Sequence, residues 1–248
     1  MGETSRGQVY GAGPCITRFK PCEPIHHCME TASPQSAPQV LATFTDWMVV
    51  NKPAGWHSVQ QEGSEGSSIE AWLRTNEPRA AALDEAGLCH RLDLWTSGCL
   101  AVALTPDAHE RLRHAFSQAG SGVRKIYLAL AGKGLSNDGR FRLHFESRYK
   151  RSAKVSVGES GSAWSAGRCI WHVQRRGPGA HDLVQVELIG PGRRHQIRAG
   201  LAHLGHALAS DALYGGATLP ELGGPALHAW KLCIDDIEVV APPPPAFS

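Results

Sequence analysis

A chain of 248 residues, 42% hydrophobic and 19% charged, is long enough to bury a substantial core as one large domain or two small ones. Its formal net charge of +2 does not mark a nucleic-acid binder, so any such role must rest on local basic clusters. No apolar run approaches membrane-spanning length, and the seven cysteines lie at irregular spacings unlike a secreted disulfide framework, so the expectation is a cytoplasmic protein without a membrane partner.

Residues 1–38 carry repeated Pro, Gly, Ser and Thr with little apolar periodicity and are expected to form an irregular arm. The arm holds Cys15, Cys22, His26, His27 and Cys28, but their spacing matches no paired-cysteine site, so no metal is expected there. A strand is predicted at 47–50, entering the Asn51-Lys52-Pro53 turn. Helical spacing at 67–75 puts Ile69, Trp72 and Leu73 on one face, with Ser67 or Ser68 as cap. A buried strand at 100–104 precedes a helix at 106–119, with Pro106 in its first turn and Leu112, Ala115 and Phe116 facing inward. Strands follow at 127–131, 140–146, 168–174 and 183–188, then a helix at 196–204 with Ile197, Leu201 and Leu204 on its inward face. The stretch Ala241-Pro242-Pro243-Pro244-Pro245 should end regular structure and run extended as a proline-rich tail, 241–248. Runs of strands with few helices predict an α+β fold with a largely antiparallel, mixed sheet and flanking helices.

Two basic clusters are evident, Arg148, Lys150, Arg151 and Lys154, and Arg175, Arg176, Arg193, Arg194 and Arg198. Each suits either phosphate contact or a solvated face. The most informative stretch is His90-Arg91-Leu92-Asp93-Leu94-Trp95-Thr96-Ser97-Gly98, which sets Arg91 and Asp93 two residues apart beside a Thr-Ser-Gly turn. From this pattern alone it is either a surface salt bridge on a tight turn or a site held at a strand edge.

The wider spelling, His-Arg-Leu-Asp-x-x-Thr-Ser-Gly, resembles the active-site motif of the RluA family of RNA pseudouridine synthases. Further blocks follow in the family's order. They are Asn51-Lys52-Pro53-Ala54-Gly55, Lys125-Ile126-Tyr127-Leu128-Ala129, Gly192-Arg193-Arg194-His195-Gln196-Ile197-Arg198, Leu204-Gly205-His206, Asp211-Ala212-Leu213-Tyr214-Gly215 and Leu227-His228-Ala229. The resemblance spans about residues 42 to 240 and implies that 39–240 is a pseudouridine synthase catalytic domain, acting on uridine in structured tRNA or rRNA as a monomer without a cofactor.

The resemblance also implies roles. Asp93 is the expected catalytic nucleophile or base, Arg198 its cationic partner, and Tyr127 the aromatic residue that stacks on the target base and takes part in proton movement. Arg91 is expected to enter the RNA helix or fill the space left by the flipped uridine. Lys52 and Lys125 are expected as phosphate or packing contacts, and Arg193 and Arg194 as RNA contacts. His90, Thr96, Ser97, Gly98, His195 and Gln196 are expected to support the loops. Leu94 and Trp95 fill the motif's variable pair, and Arg194 stands where the family commonly has threonine. A non-catalytic RNA-binding protein on the same fold is the rival reading. An aspartate-nucleophile hydrolase is a third, disfavoured by the lack of a phosphate-binding Gly-rich loop.

Overall fold

Strands whose alternate side chains are apolar on both faces must be covered on both sides, and this requirement organises the molecule. The computed structural model describes residues 37–60, 66–147, 149 and 152–247, with ten strands in one sheet. Strands β1 (Gln39–Thr43) and β2 (Trp47–Lys52) come first, then helices α1 (Ile69–Asn76) and α2 (Pro78–Ala81). β3 (Ser97–Ala103), α3 (Pro106–Ser117) and β4 (Val123–Gly132) lead into β5 (Asp138–Glu146), β6 (Ser156–Gly158), β7 (Ala166–Arg175) and β8 (His181–Ile189). α4 (Gln196–His203), β9 (Leu227–Ile234) and β10 (Ile237–Val240) complete the set.

The sheet order is β1-β2-β3-β9-β4-β8-β7-β5-β6, with β10 also pairing with β9. Among the described strands every pairing is antiparallel except β3 with β9, which run parallel through Ser97↔His228 and Gly98↔Ala229. The fold is therefore α+β with a mixed, largely antiparallel sheet. At the parallel contact Gly98 adopts φ 108°, and a Cβ there would overlap the Ala229 backbone, so only glycine lets the two strands meet.

Period-2 alternation assigns side chains to opposite faces. Met48, Val50, Leu100, Val102, Tyr127 and Ala129 join one core with α1 and α4, whereas Trp47, Val49, Cys99 and Ala101 join another under α3. Local signals set the helix starts. Ser68 caps α1 by accepting the Ala71 N–H at 3.1 Å, and Thr105 caps α3 ahead of Pro106 by accepting the Ala108 N–H at 3.3 Å. Such caps contribute about 1 kcal/mol each.

Several expectations need correction. No element is predicted past 204, yet β9 is a central strand, its apolar run interrupted in sequence by His228 and Lys231. Asp235 and Asp236 form the reversal between β9 and β10, with Asp235 at φ 52°. The C-terminal stretch does not run free: Pro245–Phe247 makes a single 3-10 turn, and Phe247 is buried against Leu128, Leu130, Ala209 and Ala226. The Arg175–Arg194 cluster also divides. Arg175 closes β7 at the β7–β8 reversal, while Arg193 and Arg194 lie beyond the far end of β8, so nine residues of strand, on the order of 30 Å, separate the two pairs. Arg176 is occupied there by the buried Asp182 at 2.7 Å and by Leu135 O at 2.8 Å. The arm's cysteines and histidines, and Arg148, Lys150 and Arg151, lie outside the described residues.

Candidate active site

The loop carrying Asp93 is tied down at almost every residue. Cys89 N–H donates to Ala101 O at 3.1 Å, and His90 Nε2 accepts the Ala101 N–H at 3.1 Å. Ser58 Oγ accepts the Leu92 N–H and donates to Leu92 O, both at 2.9 Å. Leu94 O accepts the Gly55 N–H and the Lys52 ammonium, each at 2.9 Å, and the Thr96 N–H closes a turn on Asp93 O at 3.0 Å. Below the turn, Ser97 Oγ meets His228 Nδ1 at 2.8 Å, and His228 Nε2 meets Ala241 O at 3.2 Å. Burial lowers the His228 pKa to about 4 and the His90 pKa to about 3, so both act as neutral hydrogen-bonding groups near neutral pH.

Asp93 faces α4. Arg198 Nη1 donates to Asp93 Oδ2 at 3.1 Å, while Arg198 Nε and Nη2 donate to Asp211 Oδ2 and Oδ1 at 2.7 and 2.9 Å. The expected bidentate grip therefore exists but belongs to Asp211, whose side chain is 1% exposed; Asp93, at 30%, receives a single bond. Burial opposes the Arg198 charge, yet the Asp211 hydrogen bonds and the Asp93 charge outweigh it and raise its pKa. Asp93 Oδ1 makes no hydrogen bond to the described residues.

His195 opens α4 in the left-handed region, φ 53°, which aims its ring at the site rather than along the helix. Its Nε2 lies 3.9 Å from Asp93 Oδ2, and its Nδ1 lies 3.0 Å from the Tyr214 hydroxyl, which accepts the Val155 N–H. Burial lowers the His195 pKa against the opposing pull of Asp93, which favours the neutral ring. The Arg198 guanidinium sits 5.5 Å from the Tyr214 ring centre. Gln196 locks the preceding turn by accepting the Arg193 N–H and donating to Arg168 O, both at 2.9 Å.

Tyr127 comes from β4, 7% exposed, on the face shared with Leu92 and Ile197. Burial first, and the Asp93 charge second, push its pKa up, so the phenol keeps its proton. Asp93, Tyr127 and Arg198 all line a cavity of about 1020 Å³, together with Arg91, Trp95, Lys125, Arg193, Arg194, His195 and Leu227. The volume is at the upper end of the roughly 300–1,000 Å³ typical of small-molecule sites.

Lys52 is not at this surface. It is fully buried, and its ammonium donates to Pro53 O, Trp56 O and Leu94 O at 3.0, 2.6 and 2.9 Å. Of the two roles expected of it, the geometry supports packing and not phosphate contact. Burial brings its pKa down to about 7. Lys125 does line the cavity but is buried, donating to Gly190 O at 2.6 Å, with its pKa lowered to about 8 by burial. Arg91 is exposed and pairs with Glu85 at 2.7 Å, a surface bond that holds it weakly. Arg193 Nε is bound to Ala166 O at 3.1 Å, and the exposed Arg194 reaches Ala153 O at 2.8 Å. Asp211, Tyr214 and Ser58 carry no assigned role in the sequence reading. A carboxylate 13 positions after Arg198 in a recognised block was a usable signal for Asp211; Ser58 offered none.

The RNA pseudouridylate synthase family model matches residues 46–203, more than half of the chain. Among curated proteins, the ribosomal large subunit pseudouridine synthase D of Xylella fastidiosa is 33% identical over 201 residues, covering 80% of this chain and 58% of that protein. The synthase D of Pseudomonas aeruginosa is 32% identical over 202 residues, covering 76% and 61%. The chain thus spans less than two thirds of the length of these relatives. Of solved structures, human RNA pseudouridylate synthase domain containing 1 superposes with a TM-score of 0.65 at 25% identity, covering 89% of each chain. A family model across most of the folded region, relatives at about one-third identity and a shared architecture agree: this chain belongs to the RNA pseudouridylate synthase family.

Proposed function

We propose that residues 39–240 form a catalytic domain that isomerises uridine to pseudouridine in structured RNA, with large-subunit ribosomal RNA the substrate class that the relatives' names favour. The observation that carries this reading is the Arg198 guanidinium shared between the buried Asp211 and the accessible Asp93 at the wall of a nucleotide-sized cavity.

The reaction breaks the C1′–N1 bond, turns the base and joins C1′ to C5. C5 loses its hydrogen as a proton and N1 gains one, so atoms and electrons balance without a redox partner. Asp93 offers one oxygen held by Arg198 and one free to attack carbon or take a proton. Tyr127 supplies an aromatic wall for the extruded base and a protonated hydroxyl. Arg91, loosely paired at the rim, is free to enter the space the base vacates. Arg193 and Arg194 flank the opening for phosphate contact.

Release of tritium from RNA carrying C5-labelled uridine tests this reading, because forming the new carbon bond expels that hydrogen. Wild-type protein should release it, and Asp93→Asn should release none while binding RNA within a few-fold of wild type. Release at the wild-type rate from Asp93→Asn would end the assignment, and wild-type protein inert on every cellular RNA would favour a non-catalytic RNA-binding role.

A further inference from the structure

Trp95 sits two residues after Asp93, at the turn closed by the Thr96 N–H, and is 39% exposed. An exposed indole on a turn normally samples several rotamers; this one is seated. A Cβ on Gly223 would lie 2.6 Å from Trp95 Cζ3, one on Gly224 would overlap the ring, and one on Gly55 would come within 3.3 Å. Glycine at these positions thus makes a slot the shape of the indole, and the slot draws on two segments far apart in sequence. The preceding residue is pinned as well, since Leu94 O takes both the Gly55 N–H and the Lys52 ammonium. The ring is therefore held by its packing, and Trp95 lines the same cavity as Asp93 and Tyr127. Its indole N–H has no hydrogen-bond partner among the described residues.

The other tryptophans do not share this arrangement. Trp47 and Trp171 are core residues, Trp56, Trp72 and Trp230 pack against the core, and the exposed Trp164 does not line the cavity. A seated indole that is 39% exposed and lines the cavity of the reacting carboxylate fits one occupant above others: a nucleobase. Tyr127 already provides the wall beside Asp93 for the target base, so the base left for Trp95 is a neighbour.

We propose that Trp95 is a stacking platform for the nucleotide adjacent to the flipped uridine and tunes which neighbouring base is accepted. This rests on the pseudouridine synthase reading of the same site. Stacking on an aromatic face tolerates every base but favours those that stack more strongly, so the platform biases the choice towards a purine neighbour.

The test uses the full chain and hairpin RNAs whose loop holds one uridine with 2-aminopurine, a base whose fluorescence is quenched by stacking, on its 5′ or 3′ side. Protein bearing Asp93→Asn should quench the probe on one side saturably. Adding Trp95→Leu, which keeps apolar bulk in the glycine slot, should abolish that quenching and weaken binding roughly ten-fold, whereas Trp95→Phe should retain quenching. Melting temperatures verify that each variant is folded; should Trp95→Leu fail to fold, Trp95→Met against Trp95→Phe makes the same comparison. In parallel, tritium release from hairpins with each of the four bases beside the uridine should show a several-fold purine preference in wild type that Trp95→Leu loses. Quenching on neither side, equal quenching in Trp95→Leu, or an unchanged neighbour preference would overturn the proposal. Tritium release without stacking would sink the platform alone, and stacking without tritium release would sink the activity reading alone.

Discussion

Asp211→Asn removes one charge from a site where Arg198 donates three hydrogen bonds to two carboxylates. Asparagine keeps the shape but has one accepting oxygen, and its amide hydrogens would face a guanidinium N–H donor to donor. At 1% exposure of the Asp211 side chain and 10% for Arg198, water cannot fill in. Removing one partner of a buried ion pair costs about 3–5 kcal/mol. Arg198 keeps Asp93 and one oxygen at 211, so the loss should fall at the lower end, about 3 kcal/mol, which for a chain of this size is a fall of roughly 6–12 °C in melting temperature. Released from its bidentate grip, Arg198 can shift by an ångström, and a displacement of that size costs on the order of 10²-fold in rate. Calorimetry and tritium release read the two effects separately. A double variant with Arg198→Gln should recover more than about 1 kcal/mol relative to the summed single losses, because no buried charge is then left over, but it should recover no activity. Asp211→Asn with stability within about 1 kcal/mol of wild type and an undiminished rate would refute the reasoning.

Three further outcomes follow from the same geometry. Tyr127→Phe keeps the ring and loses the hydroxyl, so RNA affinity should hold within a few-fold while tritium release slows by about 10²-fold or more, and a wild-type rate would assign the hydroxyl no part in proton transfer. Lys52 has its pKa lowered by burial from 10.5 to about 7, so between those values the unfolded chain holds a proton that the folded chain has given up. Wild-type stability should therefore rise with pH relative to Lys52→Met, by about 2 kcal/mol between pH 6.5 and 9, and parallel urea-unfolding curves at the two pH values would contradict the buried assignment. Gly98→Ala should destabilise by about 3 kcal/mol or more, since φ 108° and the Ala229 backbone both exclude a methyl, and denaturation midpoints test this directly.

What the sequence determined by itself was local. Apolar segments located β2, β3, β4, β5, β7 and β8, and Ser67 or Ser68 and Pro106 marked helix starts, because burial pattern and capping depend only on near neighbours. The motif around Asp93 and the blocks containing Tyr127 and Arg198 marked the members of one site, and the fold brings all three to one cavity. The rest was decided by residues distant in sequence. Arg198 could have gripped Asp93 with its whole fork; the chain reversal after α4 put Asp211 against two of its nitrogens instead. Lys52 and Lys125 were open between phosphate and packing contacts until β2 and β4 were placed inside the sheet, where backbone carbonyls satisfy their ammonium groups. Arginines close in sequence across the β7–β8 hairpin parted to opposite ends, because a strand carries its two termini as far apart as its length allows. Trp95 became a seated platform only where glycines from two remote segments closed on its ring. A pattern with a short repeat can be read from the chain, but which donor meets which acceptor depends on the tertiary path that brings them within 3 Å.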